Sequence, residues 1–157
     1  MARARERVAR VPCRSIDTGW GTVQYLDRGE GLPVLLSHGV LGGYDNVRDL
    51  IDLYVGPANR AIGPSRFGYL GSTMPKHATP AGQADTYAAL LDHLDLDRVV
   101  MLGFSAGGPA AIQFALRHPD RAHGLILLSS YLPGMGARAI PGLLHPLLRT
   151  VGGWQYG

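Results

Sequence analysis

A chain of 157 residues with 46% hydrophobic content fits one domain with a sizeable core. No run approaches the roughly 20 apolar residues of a membrane-spanning helix, which argues against a span, and the lone Cys13 leaves no internal disulfide and fits a reducing cytoplasm. The net charge of +3 is concentrated in Arg3, Arg5, Arg7, Arg10 and Arg14, since residues 15–157 hold 10 basic against 11 acidic side chains. Residues 1–14 therefore read as a solvated, disordered basic arm rather than a nucleic-acid surface. No apolar segment follows the arginines, so a secretory signal is not expected.

In chain order, Thr22-Val23-Gln24-Tyr25-Leu26 alternates polar and apolar residues. That pattern predicts a half-exposed antiparallel strand near one sheet edge. Asp27-Arg28-Gly29-Glu30-Gly31 reads as a turn, and Pro33-Val34-Leu35-Leu36-Ser37 as a buried strand leading into His38-Gly39. Arg60-Ala61-Ile62-Gly63 reads as the next strand. Thr79 can cap a helix whose first position is Pro80, with Ala84, Tyr87, Ala88, Leu91 and Leu94 on its inward face. Asp85, Asp92, Asp95 and Asp97 read as its solvated face and terminus. Arg98-Val99-Val100-Met101-Leu102 has the continuous hydrophobicity of a parallel strand covered on both faces. A helix is expected from Ala106 to Arg117, ended before Pro119, and Gly124-Leu125-Ile126-Leu127-Leu128 is one more buried strand. Such alternation predicts a mostly parallel sheet with helices on both faces.

Between the strand at 98–102 and the helix that follows lies Gly103-Phe104-Ser105-Ala106-Gly107. In a G-x-S-x-G turn the serine stands on a bend so sharp that a β-carbon at either glycine would clash. Glycine is 22 of the 157 residues, so the pattern alone is weakly specific. Its specificity comes from context, because the mechanism needs a strand before the serine and a helix after it. Ser105 is the candidate nucleophile, Gly103 and Gly107 form its elbow, and the Ala106 N–H at the start of the helix faces a developing oxyanion.

Together with Ser37-His38-Gly39-Val40-Leu41-Gly42-Gly43 and Pro64-Ser65-Arg66-Phe67-Gly68-Tyr69-Leu70-Gly71-Ser72, this turn resembles the α/β-hydrolase family. The likeness is to its serine-nucleophile, esterase-like and haloperoxidase-like members, and it runs from about Trp20 to about Pro133. It implies an α/β-hydrolase core over residues 15–133, incomplete at its C-terminal side, and the start of a cap over residues 134–157. The N–H of Val40 is the implied second oxyanion donor, with Leu41 a nearby alternative. By the same resemblance His38 packs and orients its loop rather than serving as the base. The loop carrying Arg66 and Tyr69 shapes the pocket, with Arg66 tying loops together. Family members acting on epoxides and haloalkanes carry aspartate at the elbow, so serine there disfavours those activities.

The resemblance also implies an acid and then a histidine after the serine. Asp120, His118 and His123 flank a helix-to-strand turn at the wrong end of the sheet, and His145 lies in the Leu/Pro-rich segment from Ile140 to Leu148. None is a convincing partner for Ser105. The expected activity is acyl transfer from a small-molecule ester through an acyl-enzyme on Ser105, without metal or cofactor. The alternative is a truncated, non-catalytic remnant or binding module. The apolar strand at 124–128 is expected as a bare sheet edge open to self-association.

Overall fold

Two continuous apolar runs, Val34–Leu36 and Val99–Leu102, lie side by side inside the sheet. The computed structural model describes Glu6, Val8 and residues 10–132. Six strands are present among them: β1 (Arg14–Thr18), β2 (Gly21–Arg28), β3 (Pro33–Ser37), β4 (Arg60–Pro64), β5 (Val99–Phe104) and β6 (Ala122–Leu128). Helix α1 (Tyr44–Tyr54) joins β3 to β4, α2 (Pro80–His93) joins β4 to β5, and α3 (Gly108–Arg117) joins β5 to β6.

The strand order is β1-β2-β4-β3-β5-β6. From β4 to β6 the neighbours are parallel, whereas β2 is antiparallel to both β1 and β4. Each parallel connection passes through a helix, as parallel pairing requires. Successive residues of β3 point to opposite faces, and both faces are covered. Leu35, Met101 and Ile62 pack with Tyr87, Leu90 and Leu91 of α2 and Phe114 of α3. Val34, Leu36 and Leu102 pack with Val47 and Ile51 of α1 on the other side. Continuous hydrophobicity in β3 and β5 is thus the signature of strands that bury both faces.

The expected mostly parallel sheet with helices on both faces is present, with local corrections. The antiparallel strand expected near one sheet edge is β2, second from that edge, with β1 pairing outside it from Arg14↔Tyr25 to Thr18↔Gly21. β1 carries no alternation in its sequence, since only Ile16 of its five residues is buried. Arg14, assigned to the basic arm by its charge, opens this strand. Asp27 and Arg28 belong to β2 rather than to the turn, which bends at Gly29 (φ 85°) and Gly31 (φ 96°). Helix α1 buries Tyr44, Val47 and Ile51, but Gly43 supplies no side-chain cap to announce its start.

Thr79 does cap α2: its hydroxyl accepts from the Gly82 N–H at 3.0 Å. Asp85 is less solvated than its sequence position implied. It accepts two hydrogen bonds from Arg117 and one contact from His118, joining α2 to the end of α3. The Arg117 hydrogen bonds hold its carboxyl below the usual carboxylate range.

β6 forms where expected but is not buried. It ends the sheet among the described residues, and Leu125, Ile126 and Leu127 stay 37–39% exposed. No helix among the described residues is long and apolar enough to cross a membrane. The expected cap start at 134–157, including His145, lies outside the described residues. Thr79→Ala removes an N-cap and should cost about 1 kcal/mol, read as a lower urea midpoint with an unchanged m-value.

Candidate active site

β5 delivers the chain to Ser105 at the carboxyl end of the parallel strands. A single 3₁₀ turn, Ser105–Gly107, precedes α3, so the α-helix proper begins later than the expected Ala106. Ser105 has φ 51°, in the left-handed region that a non-glycine residue avoids. Such a conformation costs on the order of 1–3 kcal/mol and persists only where its surroundings fix it.

Those surroundings are backbone and small side chains. A β-carbon on Gly103 would lie 2.8 Å from Ala111 Cβ and 2.9 Å from Gly108 Cα, which is the clash across the turn. Gly107 meets a different obstacle. Its β-carbon would come within 1.9 Å of the Ser37 carbonyl oxygen, at the end of β3. Gly108, unremarked in the sequence, leaves room for Ser130, whose Cβ would be 2.7 Å away. Ser130 Oγ donates to the Gly103 carbonyl at 2.6 Å, and the Tyr131 N–H donates to the Ser105 carbonyl at 3.0 Å. The chain leaving β6 therefore fastens both sides of the elbow. Nothing in the local pattern around Ser130 and Tyr131 signals this, because the contact forms only when β6 pairs with β5.

The His38–Gly43 loop bears directly on the serine. A β-carbon on Gly39 would stand 3.2 Å from Ser105 Cβ and 3.4 Å from the Phe104 ring. Glycine there permits the loop backbone to approach the hydroxyl. Val40 follows, half-buried, and Leu41 is 86% exposed.

Beneath this loop lies a buried polar network. His38 is fully buried; its Nδ1–H donates to the Gly39 carbonyl at 2.7 Å, and its Nε2 accepts the Arg66 N–H at 2.9 Å. Both partners require the Nδ1–H tautomer. Burial, and then the Arg66 charge, push the imidazole pKa down to about 3. A ring in that state is neutral, with both nitrogens engaged, and does not act as a base near neutrality. The Arg66 guanidinium is 1% exposed and donates to the Ala106 carbonyl at 2.7 Å and to Tyr69 Oη at 3.3 Å. Tyr69 stands edge-on to His38 with ring centroids 4.8 Å apart. Arg66 ties loops together, as its sequence context implied.

The other titratable groups weighed as partners for Ser105 lie elsewhere. β6 pairs Ala122 with Val99 and Leu128 with Phe104, so the turn before β6 is at the far end of the sheet from Ser105. Asp120, His118 and His123 therefore sit at that far end, and His118 is engaged with Asp85. Among the described residues no hydrogen bond joins the Ser105 hydroxyl to an imidazole or a carboxylate.

Comparison with known proteins agrees with this architecture. The family model for the alpha/beta hydrolase fold matches residues 33–149. A protein named uncharacterized hydrolase YcgS from Bacillus subtilis is 34% identical over 112 residues, which cover 70% of this chain and 38% of that protein. Haloalkane dehalogenase 2 of Mycobacterium bovis is 33% identical over 119 residues, covering 73% of this chain and 40% of that one. The solved structure of a thermophilic esterase from Thermogutta terrifontis superposes with a TM-score of 0.68 at 30% identity, covering 82% of this chain and 49% of that chain. The chain belongs to the α/β-hydrolase family. It spans about two fifths of the length of the curated relatives it matches.

Gly107→Ala should destabilise by at least about 1–3 kcal/mol, because the obstacle is backbone that cannot rotate away; a lower Tm by circular dichroism checks it. The acid sensitivity of His38 is also open to measurement. The unfolded chain holds this imidazole near 6.5 and the folded chain near 3, so unfolding takes up a proton between those values. The stability it contributes is complete above about 6.5 and is lost as pH falls toward about 3. Wild type should lose up to about 1.4 kcal/mol per pH unit through this group. His38→Gln should flatten that slope in urea titrations.

Proposed function

We propose that the protein is a serine hydrolase acting on a carboxylic ester or similar acyl substrate, with Ser105 as the nucleophile. The observation that carries this reading is the Ser105 backbone at φ 51°, held between three close-fitting glycines on its own turn and the Gly39 loop beside it. Strain kept at one residue by so many fixed neighbours is characteristic of functional sites.

In the proposed reaction Ser105 Oγ attacks the acyl carbonyl carbon while its proton passes to a base that the described residues do not supply. The carbonyl oxygen becomes an oxyanion, accepting from the N–H groups of Val40 and Ala106. Preorganised donors of this kind act where charge develops, at no reorganisation cost. Collapse expels the alcohol and leaves an acyl ester on Ser105, which water then hydrolyses. The similarity to an esterase structure is in keeping with this chemistry.

Similarity to a haloalkane dehalogenase raises a different reaction, displacement of halide from saturated carbon. Ser105 disfavours it. An alkyl group transferred to a serine hydroxyl would form an ether, with no carbonyl for water to attack, and the enzyme would not turn over. The remaining alternative is a pocket retained without catalysis.

A fluorophosphonate probe separates the readings, since the hydroxyl forms a P–O bond as fluoride leaves. Labelling of the wild-type chain that disappears in Ser105→Ala is the expected result. No labelling at millimolar probe points to the non-catalytic alternative.

A further inference from the structure

Arg66, buried at 1% exposure, touches both halves of the proposed oxyanion site. Its guanidinium donates to the Ala106 carbonyl at 2.7 Å, and its backbone N–H holds His38 Nε2 at 2.9 Å. His38 passes that constraint to the Gly39 carbonyl at 2.7 Å, on the peptide whose N–H belongs to Val40. We infer that Arg66 is a positioning residue that sets the Ala106 and Val40 N–H groups in register with each other. This inference rests on the assignment of those two groups as oxyanion donors.

The physical case has two parts. Ala106 joins two consecutive peptide planes. The plane before it carries the oxyanion-facing N–H, and its carbonyl, on Ser105, accepts from Tyr131. The plane after it carries the carbonyl held by Arg66. With both planes fastened, the N–H between them has little freedom to turn, and Ser105 cannot relax out of its left-handed backbone. On the other side, the Gly39–Val40 peptide is fastened through its carbonyl to His38, which the Arg66 main-chain N–H holds, so that link persists in side-chain variants while the guanidinium acts on the Ala106 side.

The second part is charge. A guanidinium at 1% exposure makes charge-assisted hydrogen bonds in a medium that screens them poorly. Its field reaches the His38–Gly39 loop, where it contributes to the low imidazole pKa. A positive charge buried behind both donors favours the tetrahedral oxyanion over the neutral ester. Arg66 therefore acts on the transition state more than on substrate binding.

The experiment compares wild type, Arg66→Lys, Arg66→Met and Ser105→Ala in the full chain. It measures fluorophosphonate labelling rates, turnover of p-nitrophenyl butyrate, and inhibition by an alkyl boronic acid that mimics the tetrahedral state. Arg66→Met should slow labelling and kcat by about tenfold or more with KM nearly unchanged, and weaken boronate inhibition by a similar factor. Arg66→Lys, which keeps the charge and one donor, should fall between the two. A merely structural role would lower Tm without that split between kcat and KM. The ¹⁵N shifts of His38 report the Nδ1–H tautomer and show that the site remains folded; if Arg66→Met does not fold, Arg66→Lys carries the comparison.

Wild-type rates in the Arg66 variants, with Ser105→Ala unlabelled, overturn the inference and leave the acyl-transfer reading standing. An unlabelled wild type, or labelling that survives in Ser105→Ala, overturns that reading and the inference with it.

Discussion

The geometry of the site depends on one close approach, that of Gly107 to the carboxyl end of β3. With the Ser37 carbonyl oxygen 1.9 Å from where a β-carbon would stand, the helix start after Ser105 can lie in only one place. That contact places the elbow beside the His38–Gly43 loop and determines where the Ala106 N–H points. It also explains why the residue two after the serine must be glycine, so that the turn can pack against the end of β3. The turn itself imposes its steric demand through Gly103.

Around this contact the molecule invests in buried polar groups where most of its core is aliphatic. Ser37 Oγ meets Tyr87 Oη at 2.8 Å, His38 is enclosed between Gly39 and Arg66, and the Phe67 N–H donates to Gln83 Oε1 at 2.7 Å. Buried polar groups of this kind are costly when unmatched and specific when matched. They restrict the loops after β3 and β4 to one arrangement, which apolar contacts of similar area would not do. Helix α2 takes part through Tyr87 and Gln83, so the helix that precedes β5 helps to hold the loops after β3 and β4.

Parts of this were legible in the chain as written. Continuous apolar runs announced β3 and β5, Thr79-Pro80 announced the start of α2, and Gly103-Phe104-Ser105-Ala106-Gly107 announced the turn between β5 and α3. In each case the physical cause is local: side-chain burial on both faces, an orphan N–H to be capped, or a bend that leaves no space for a β-carbon. β1 escaped notice because its one buried residue acquires meaning only when β2 lies beside it. α1 escaped because Gly43 leaves its N-terminus without a side-chain signature.

The sequence by itself determined the order of the elements, the family resemblance and the position of the strained serine, since all three follow from short-range pattern. The placement of Asp120, His118 and His123 at the far end of the sheet, and of β6 at its bare edge, was already implied by the order of the elements, and the strand pairing agrees with it. Only the tertiary structure decided the rest. It made His38 a neutral structural ring, turned Arg66 toward the Ala106 carbonyl, and brought Ser130 and Tyr131 back onto the elbow. These outcomes depend on which strands become neighbours, and on how far burial and nearby charge alter a group's chemistry. Neither is a property of any short stretch of chain.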